Sequence, residues 1–119
     1  MTGASRASGA HADAGTGGVL ALALVAATVL VALAVLTLGS ALAVRQRVIA
    51  AADAGALAAA DALLGVVADD PCRLAREVAA AHRVAFAGCV VEGAEVVVTM
   101  RADAAGLPIQ VSSRAGPPR

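Results

Sequence analysis

DAGTGGVLALALVAATVLVALAVL, residues 13–36, passes from a polar leader across three glycines into an apolar run that no proline or charge interrupts. Whether that run is cut away, held in a bilayer or buried in a protein core decides the fold, because the rest of the chain shows no evident catalytic group. Residues 19–38 are twenty positions without a charge; as a helix rising about 1.5 Å per residue they span the roughly 30 Å hydrocarbon core of a membrane. The seven leucines and five valines among them favour insertion by about 4 to 7 kcal/mol in total. Thr28 and Thr37 need no outside partner, since a threonine hydroxyl bonds back to its own helix.

The uncharged stretch extends over residues 14–44 and ends at Arg45 and Arg47, whose side chains suit a membrane-helix flank because they reach from apolar surroundings to the headgroups. A competing reading is a secretory signal cut after Ala43, for which Ala41-Leu42-Ala43 supplies the small-x-small site. Signal cores run about 7 to 15 apolar residues, shorter than this one, so we read the run as retained.

Composition narrows the function classes. The chain has 119 residues, is 60% hydrophobic but only 1% aromatic, and carries no formal net charge. One small domain and one hydrophobic element fit those values. A neutral chain lacks the basic footprint that phosphate neutralisation requires, which argues against direct nucleic-acid binding.

Beyond the run, residues 44–65 contain no proline and mostly strong helix formers, so the helix is expected to continue. Val48, Ala52, Ala56, Ala59 or Ala60, Leu63 and Val67 recur every three or four residues as a narrow stripe of mostly small side chains suited to close helix packing. Asp53 and Asp61 share the opposite, solvated side, and Asp53 is the candidate subunit contact. Asp70-Pro71 then predicts a cap and first turn for a second helix from Cys72 to about Val84. Its apolar face is expected to be Leu74, Val78, Ala81 and Ala85, with Arg73 paired to Glu77 on the polar side.

FAGCVV and AEVVVTMRA flank Glu92-Gly93 and read as an antiparallel hairpin, with Val96, Val98 and Met100 on one face and Val97, Thr99 and Arg101 on the other. Residues 109–113 add a short third strand, which Pro108 confines to an edge, and RAGPPR reads as a disordered tail. The expected fold is α+β. A long N-terminal transmembrane helix with a helical extension precedes a short helix packed on a small antiparallel hairpin or three-stranded sheet. The divisions fall at 1–15 for the leader, 16–44 for the span, 45–68 for the extension, 69–115 for the head and 116–119 for the tail.

Cys72 and Cys89 are the two cysteines. Neither their spacing nor the scattered His11 and His82 suits a metal or redox site. A disulfide is the expectation, with two buried free thiols as the alternative. A bridge would support a head too small for a comfortable core and would place it outside the cytoplasm. The arginine excess after the run argues for the opposite orientation; the difference is about one charge, so the cysteines carry more weight.

The order of a polar leader, AGTGGVLALALVAA, RQRVIAAADAGALAAADAL, a cysteine and VAAAHRVAFAGCVVEGAEVVVTM resembles the actinobacterial TadE-like proteins of helicase and secretion neighbourhoods. More broadly, it resembles the TadE/TadG-like minor pilins of Flp pilus assembly. The resemblance covers about residues 13–100 and implies a pilin-like fold. It implies that Gly15 precedes a prepilin-type cut with Thr16 as the first mature residue. Leu20 then holds the fifth mature position, where many pilin-like proteins carry a glutamate.

Ser40, Ser112 and Ser113 lack a plausible His and Asp arrangement, so an enzyme, a cofactor and a small-molecule substrate are not expected. The resulting expectation is a single-pass cell-membrane, pilin-like structural or accessory subunit of a Flp or type II secretion-like pilus or secretion system. Its partners would be the lipid bilayer and other pilin-like or Tad secretion subunits. The alternative is a secreted small soluble binding module released by signal peptidase after Ala43.

Overall fold

A computed structural model describes residues 2–118, with side chains from Gly15 onward; the leader positions Arg6, His11 and Asp13 therefore lie outside the described side chains. The chain is α+β, with helices α1 (Thr2–Leu63) and α2 (Pro71–Ala81) followed by strands β1 (Ala85–Glu92), β2 (Glu95–Ala104) and β3 (Leu107–Ala115). It divides into two units, one ending at Leu38 and the other beginning at Gly39. Helix α1 begins at Thr2 and so takes in the leader segment.

In the first unit, α1 is the apolar run. Thr28 and Thr37 donate their hydroxyls to the carbonyls of Leu24 and Leu33, each at 2.8 Å, which satisfies them inside the helix as expected.

In the second unit the C-terminal part of α1, helix α2 and one sheet face enclose the core. Val48, Ala51, Ala52, Ala56 and Ala59 of α1, Ala75 and Ala79 of α2, and Val96, Val98 and Met100 of β2 are its buried members. Alanine on the helices against valine and methionine on the strand brings the backbones close.

The helical extension is shorter than the sequence suggested. Residues 64–68 leave the helix because Gly65 takes φ +79, and the Val66 and Gly65 N–H groups donate to the carbonyls of Asp61 and Ala62. That is the paired bonding of a Schellman cap. Val67 consequently leaves the predicted stripe and is 42% exposed.

Helix α2 starts where the sequence placed it: the Asp70 carboxylate accepts the Arg73 N–H at 2.8 Å and Pro71 opens the first turn. It stops at Ala81 rather than near Val84, because Arg83 adopts φ 57 and turns the chain into β1. Its fully buried residues are Ala75 and Ala79, whereas Ala81 and Ala85 of the predicted face are exposed and Ala85 belongs to β1. Leu74 and Val78 are half-buried beside them.

The three strands form an antiparallel sheet in the order β1-β2-β3. Glu92 pairs with Glu95, leaving Gly93-Ala94 as the first loop, with positive φ at Gly93. Ala105 (φ 51) and Gly106 (φ 78) form the second loop, the pattern of a type I′ hairpin. Val96, Val98 and Met100 face the core as the alternation predicted. The edge strand β3 is longer than predicted, with Pro108 opposite Asp103 near its start, and it includes Arg114 and Ala115 of the expected tail.

Candidate functional site

The apolar part of α1 is the most distinctive surface. Between residues 19 and 38 its valines and leucines are 51% to 71% exposed, and none of the most apolar window is buried in the chain. Water is a poor solvent for that much contiguous apolar area, while a hydrocarbon layer suits it. Among the described residues this is the one helix long and apolar enough to cross a membrane.

Gly15, Thr16, Val19, Leu20 and Ala23 share a face near the start of this helix. A Cβ added at Gly15, Gly17 or Gly18 would meet nothing within 4 Å, so packing inside the chain does not require glycine at these positions. Each glycine nevertheless weakens the helix by about 1 kcal/mol relative to alanine.

At the other end of the run, Arg45 and Arg47 are exposed on α1, as are Asp53 and Asp61 further along. Thus the candidate flank residues and the candidate contact residue lie on one helix and are open to solvent.

Cys72 and Cys89 form a disulfide with Cα atoms 5.7 Å apart, which joins the first turn of α2 to β1. Loop closure over a sequence separation of 17 is worth about 3 kcal/mol in the chain-entropy account. That is substantial for a helix whose fully buried side chains are two alanines.

Around the start of α2, Arg73 donates through Nε to Asp69 at 2.8 Å and through a terminal nitrogen to Glu77 at 3.0 Å, and it makes a second contact with Asp69. The Arg73 guanidinium and then the Asp70 N–H hold the Asp69 carboxyl below its ordinary pKa. Reciprocally, Asp69 raises that of Arg73. Arg76 lies 5.0 Å from the centre of the Phe86 ring. On the sheet, Arg114 bonds Glu95 at 2.7 Å and Glu92 at 3.0 Å, and its pKa is raised by Glu95 first and then Glu92.

Sequence reasoning pairs Arg73 with Glu77 and reads Asp69-Asp70 as a turn and helix cap, but misses the ion pair of Asp69 with Arg73, although the i,i+4 spacing was visible. It also missed Gly55, whose added Cβ would lie 2.8 Å from Met100 Cε. The Ser112 hydroxyl pairs with that of Thr99 at 2.8 Å, and His82 serves as the α2 C-cap. Among the described residues, no group of three or more His, Cys, Asp and Glu side chains is placed to hold a metal ion. Comparison of the chain with protein-family models, with curated proteins and with solved structures gives no match.

Proposed function

We infer that this chain is a single-pass membrane subunit, structural or accessory, of a pilus or secretion system of the Flp or type II secretion kind, with a TadE-like, pilin-like build. The observation that carries the reading is the dual use of α1: its exposed apolar run supplies a span, and its later residues Val48, Ala51, Ala52, Ala56 and Ala59 belong to the core of the head. The bilayer stores the subunit and neighbouring pilin-like subunits are its partners. Its head lies outside the cytoplasm, where the Cys72–Cys89 bridge persists. No catalytic step, cofactor, small-molecule substrate or direct nucleic-acid contact is assigned to it.

The unexplained glycines before the run support processing between Gly15 and Thr16, since they lower the cost of unwinding the helix for a peptidase. Fractionation with N-terminal sequencing tests the reading: membrane-bound protein starting at Met1 or Thr16 supports it. A second reading has its own support, because every member of the head core follows Ala43. Release after Ala43 would leave that core whole as a secreted soluble binding module. Soluble protein starting at Val44 would establish this alternative and end the subunit reading.

A further inference from the structure

The head separates its charges along β1. The Cys72–Cys89 bridge ties the first turn of α2 to the later half of β1, while residues 82–84 lead from the end of α2 into the start of β1, so helix and strand run antiparallel. Asp69 and Asp70 therefore lie toward the Glu92 end, and the arginines Arg73 and Arg114 are each held by two carboxylates. The opposite end of β1 is basic. Arg101 pairs across the strands with Ala85, the first residue of β1, and Arg83 enters just before it. Arg76 lies 5.0 Å from the centre of the Phe86 ring. All three arginines are exposed. Among the described residues Asp103 is the one carboxylate in ion-pair range of any of them, 3.9 Å from Arg101 and so beyond hydrogen-bond distance.

The sheet has an open backbone edge at this basic end. Strand β1 begins opposite Arg101 whereas β2 continues to Ala104, so Ala102, Asp103 and Ala104 pair with β3 alone. Glu92 with Glu95 and Ala104 with Leu107 close two-residue loops; alternation from those hydrogen-bonded pairs turns the Asp103 N–H and carbonyl toward the side that β1 leaves open. Ala85, Ala87 and Ala102 line this gap with Arg101, Asp103 and Gln110, an open depression of about 440 Å³. Its alanines leave the backbone within reach.

We propose that this end of the sheet binds an acidic peptide segment of a partner protein, laid in extended form beside Ala102, Asp103 and Ala104 in line with β1. Main-chain hydrogen bonds to Asp103 seat the segment, as when a peptide adds to a sheet edge. Successive side chains of an extended chain point to opposite faces. Arg101 lies on the outer face, since Met100 beside it faces the core, whereas Phe86 packs toward the core and Arg76 of α2 lies over its ring. Two neighbouring carboxylates of the segment thus meet arginines on both faces, in charge-assisted hydrogen bonds. The core that holds the site follows Ala43, so the site is the same in an anchored chain and in a released one.

The test titrates acetyl-Thr-Glu-Glu-Thr-amide into the isotope-labelled full-length chain in zwitterionic detergent micelles and follows backbone amide shifts. Saturable shifts are expected at Ala85, Arg101 and Asp103. The peptide with Gln-Gln in place of Glu-Glu should bind about tenfold more weakly, and Arg76→Glu/Arg101→Glu should weaken the acidic peptide by a similar factor. Asp103→Asn removes the opposing carboxylate and keeps the backbone, so it should bind the acidic peptide about twofold more tightly. Unchanged shifts along β3 verify the fold of each variant. Equal binding of the two peptides, undiminished binding to Arg76→Glu/Arg101→Glu, weaker binding to Asp103→Asn, or no saturable shift up to about 10 mM peptide would overturn the inference. Saturation of the same amides by inorganic phosphate at lower concentration than the peptide would assign the site to a phosphate ligand and overturn it as well.

Discussion

Gly55 of α1 faces Met100 of β2 so closely that a single added methyl would lie 2.8 Å from the Met100 Cε and 3.4 Å from Val98 Cγ1. Both Met100 and Val98 are fully buried, which leaves the helix little room to acquire a side chain here. Gly55→Val should therefore destabilise the head by about 2 kcal/mol or more, since it combines overpacking with a stiff branched side chain. For Gly55→Ala, a propensity gain of about 1 kcal/mol opposes a packing cost of about 1 to 3 kcal/mol, so the loss should be smaller. Combining Gly55→Ala with Met100→Ala should cost less than the sum of the two single changes, as read from denaturant midpoints of the full chain in detergent.

The disulfide carries much of the attachment of α2. Replacing Cys72 and Cys89 together with alanine should lower stability by about 3 kcal/mol. Hydrogen exchange should rise first at the amides of α2 while those of β2 remain protected, because β2 is paired on both sides. Equal loosening of α2 and β2 would refute this hierarchy.

Asp69 links stability to acidity. Its carboxyl is held below the ordinary value, first by the Arg73 guanidinium and then by the Asp70 N–H. The folded form therefore binds this proton less readily than the unfolded chain. The contribution is complete above the unfolded carboxylate pKa, about 3.9, and disappears as pH falls through the lowered folded value. Asp69→Asn should be less stable than the wild type at neutral pH, and the gap should narrow below about pH 4. A gap unchanged down to pH 2 would contradict the assignment.

The second hairpin offers a gain. Ala105 holds φ 51 beside Gly106, a backbone region that disfavours ordinary L residues by about 1 to 2 kcal/mol. Ala105→Asn creates the Asn-Gly pair preferred in type I′ loops and should raise stability by about 0.5 to 1 kcal/mol, seen as a higher unfolding midpoint. Gly93→Ala, at φ 63 in the other loop, should lower it.

The apolar run, the Asp70-Pro71 cap, the cysteine pair and the alternation through residues 96–101 were legible because each depends on local chemistry or a strong period. The buried face of α2 was not. Leu74 and Val78 attract attention by size, yet close contact with the core selects the small neighbours Ala75 and Ala79. In an alanine-rich helix, hydrophobicity gives little contrast with which to fix the phase. The helix ends were misplaced for a related reason: Gly65 and Arg83 stop α1 and α2 through positive φ, and only the glycine signals that conformation in sequence. The sequence singled out Gly15, Thr16, Arg45, Arg47 and Asp53 one by one, whereas the double grip of Glu92 and Glu95 on Arg114 emerges only once the strands are in register.

Arg114 reaches across the outer face of the sheet to Glu92 and Glu95, on the two sides of the first loop. Slippage of β3 by one position would swing this guanidinium toward the side occupied by Val96 and turn Ile109 and Val111 out into water. The two glutamates therefore act as a detent on the last strand: alignments displaced by a single residue forfeit a double ionic grip while they unseat the apolar ones. A chain shortened before Arg114 would lose that safeguard while keeping most of its ladder, and heterogeneity would be expected in how its final strand is seated.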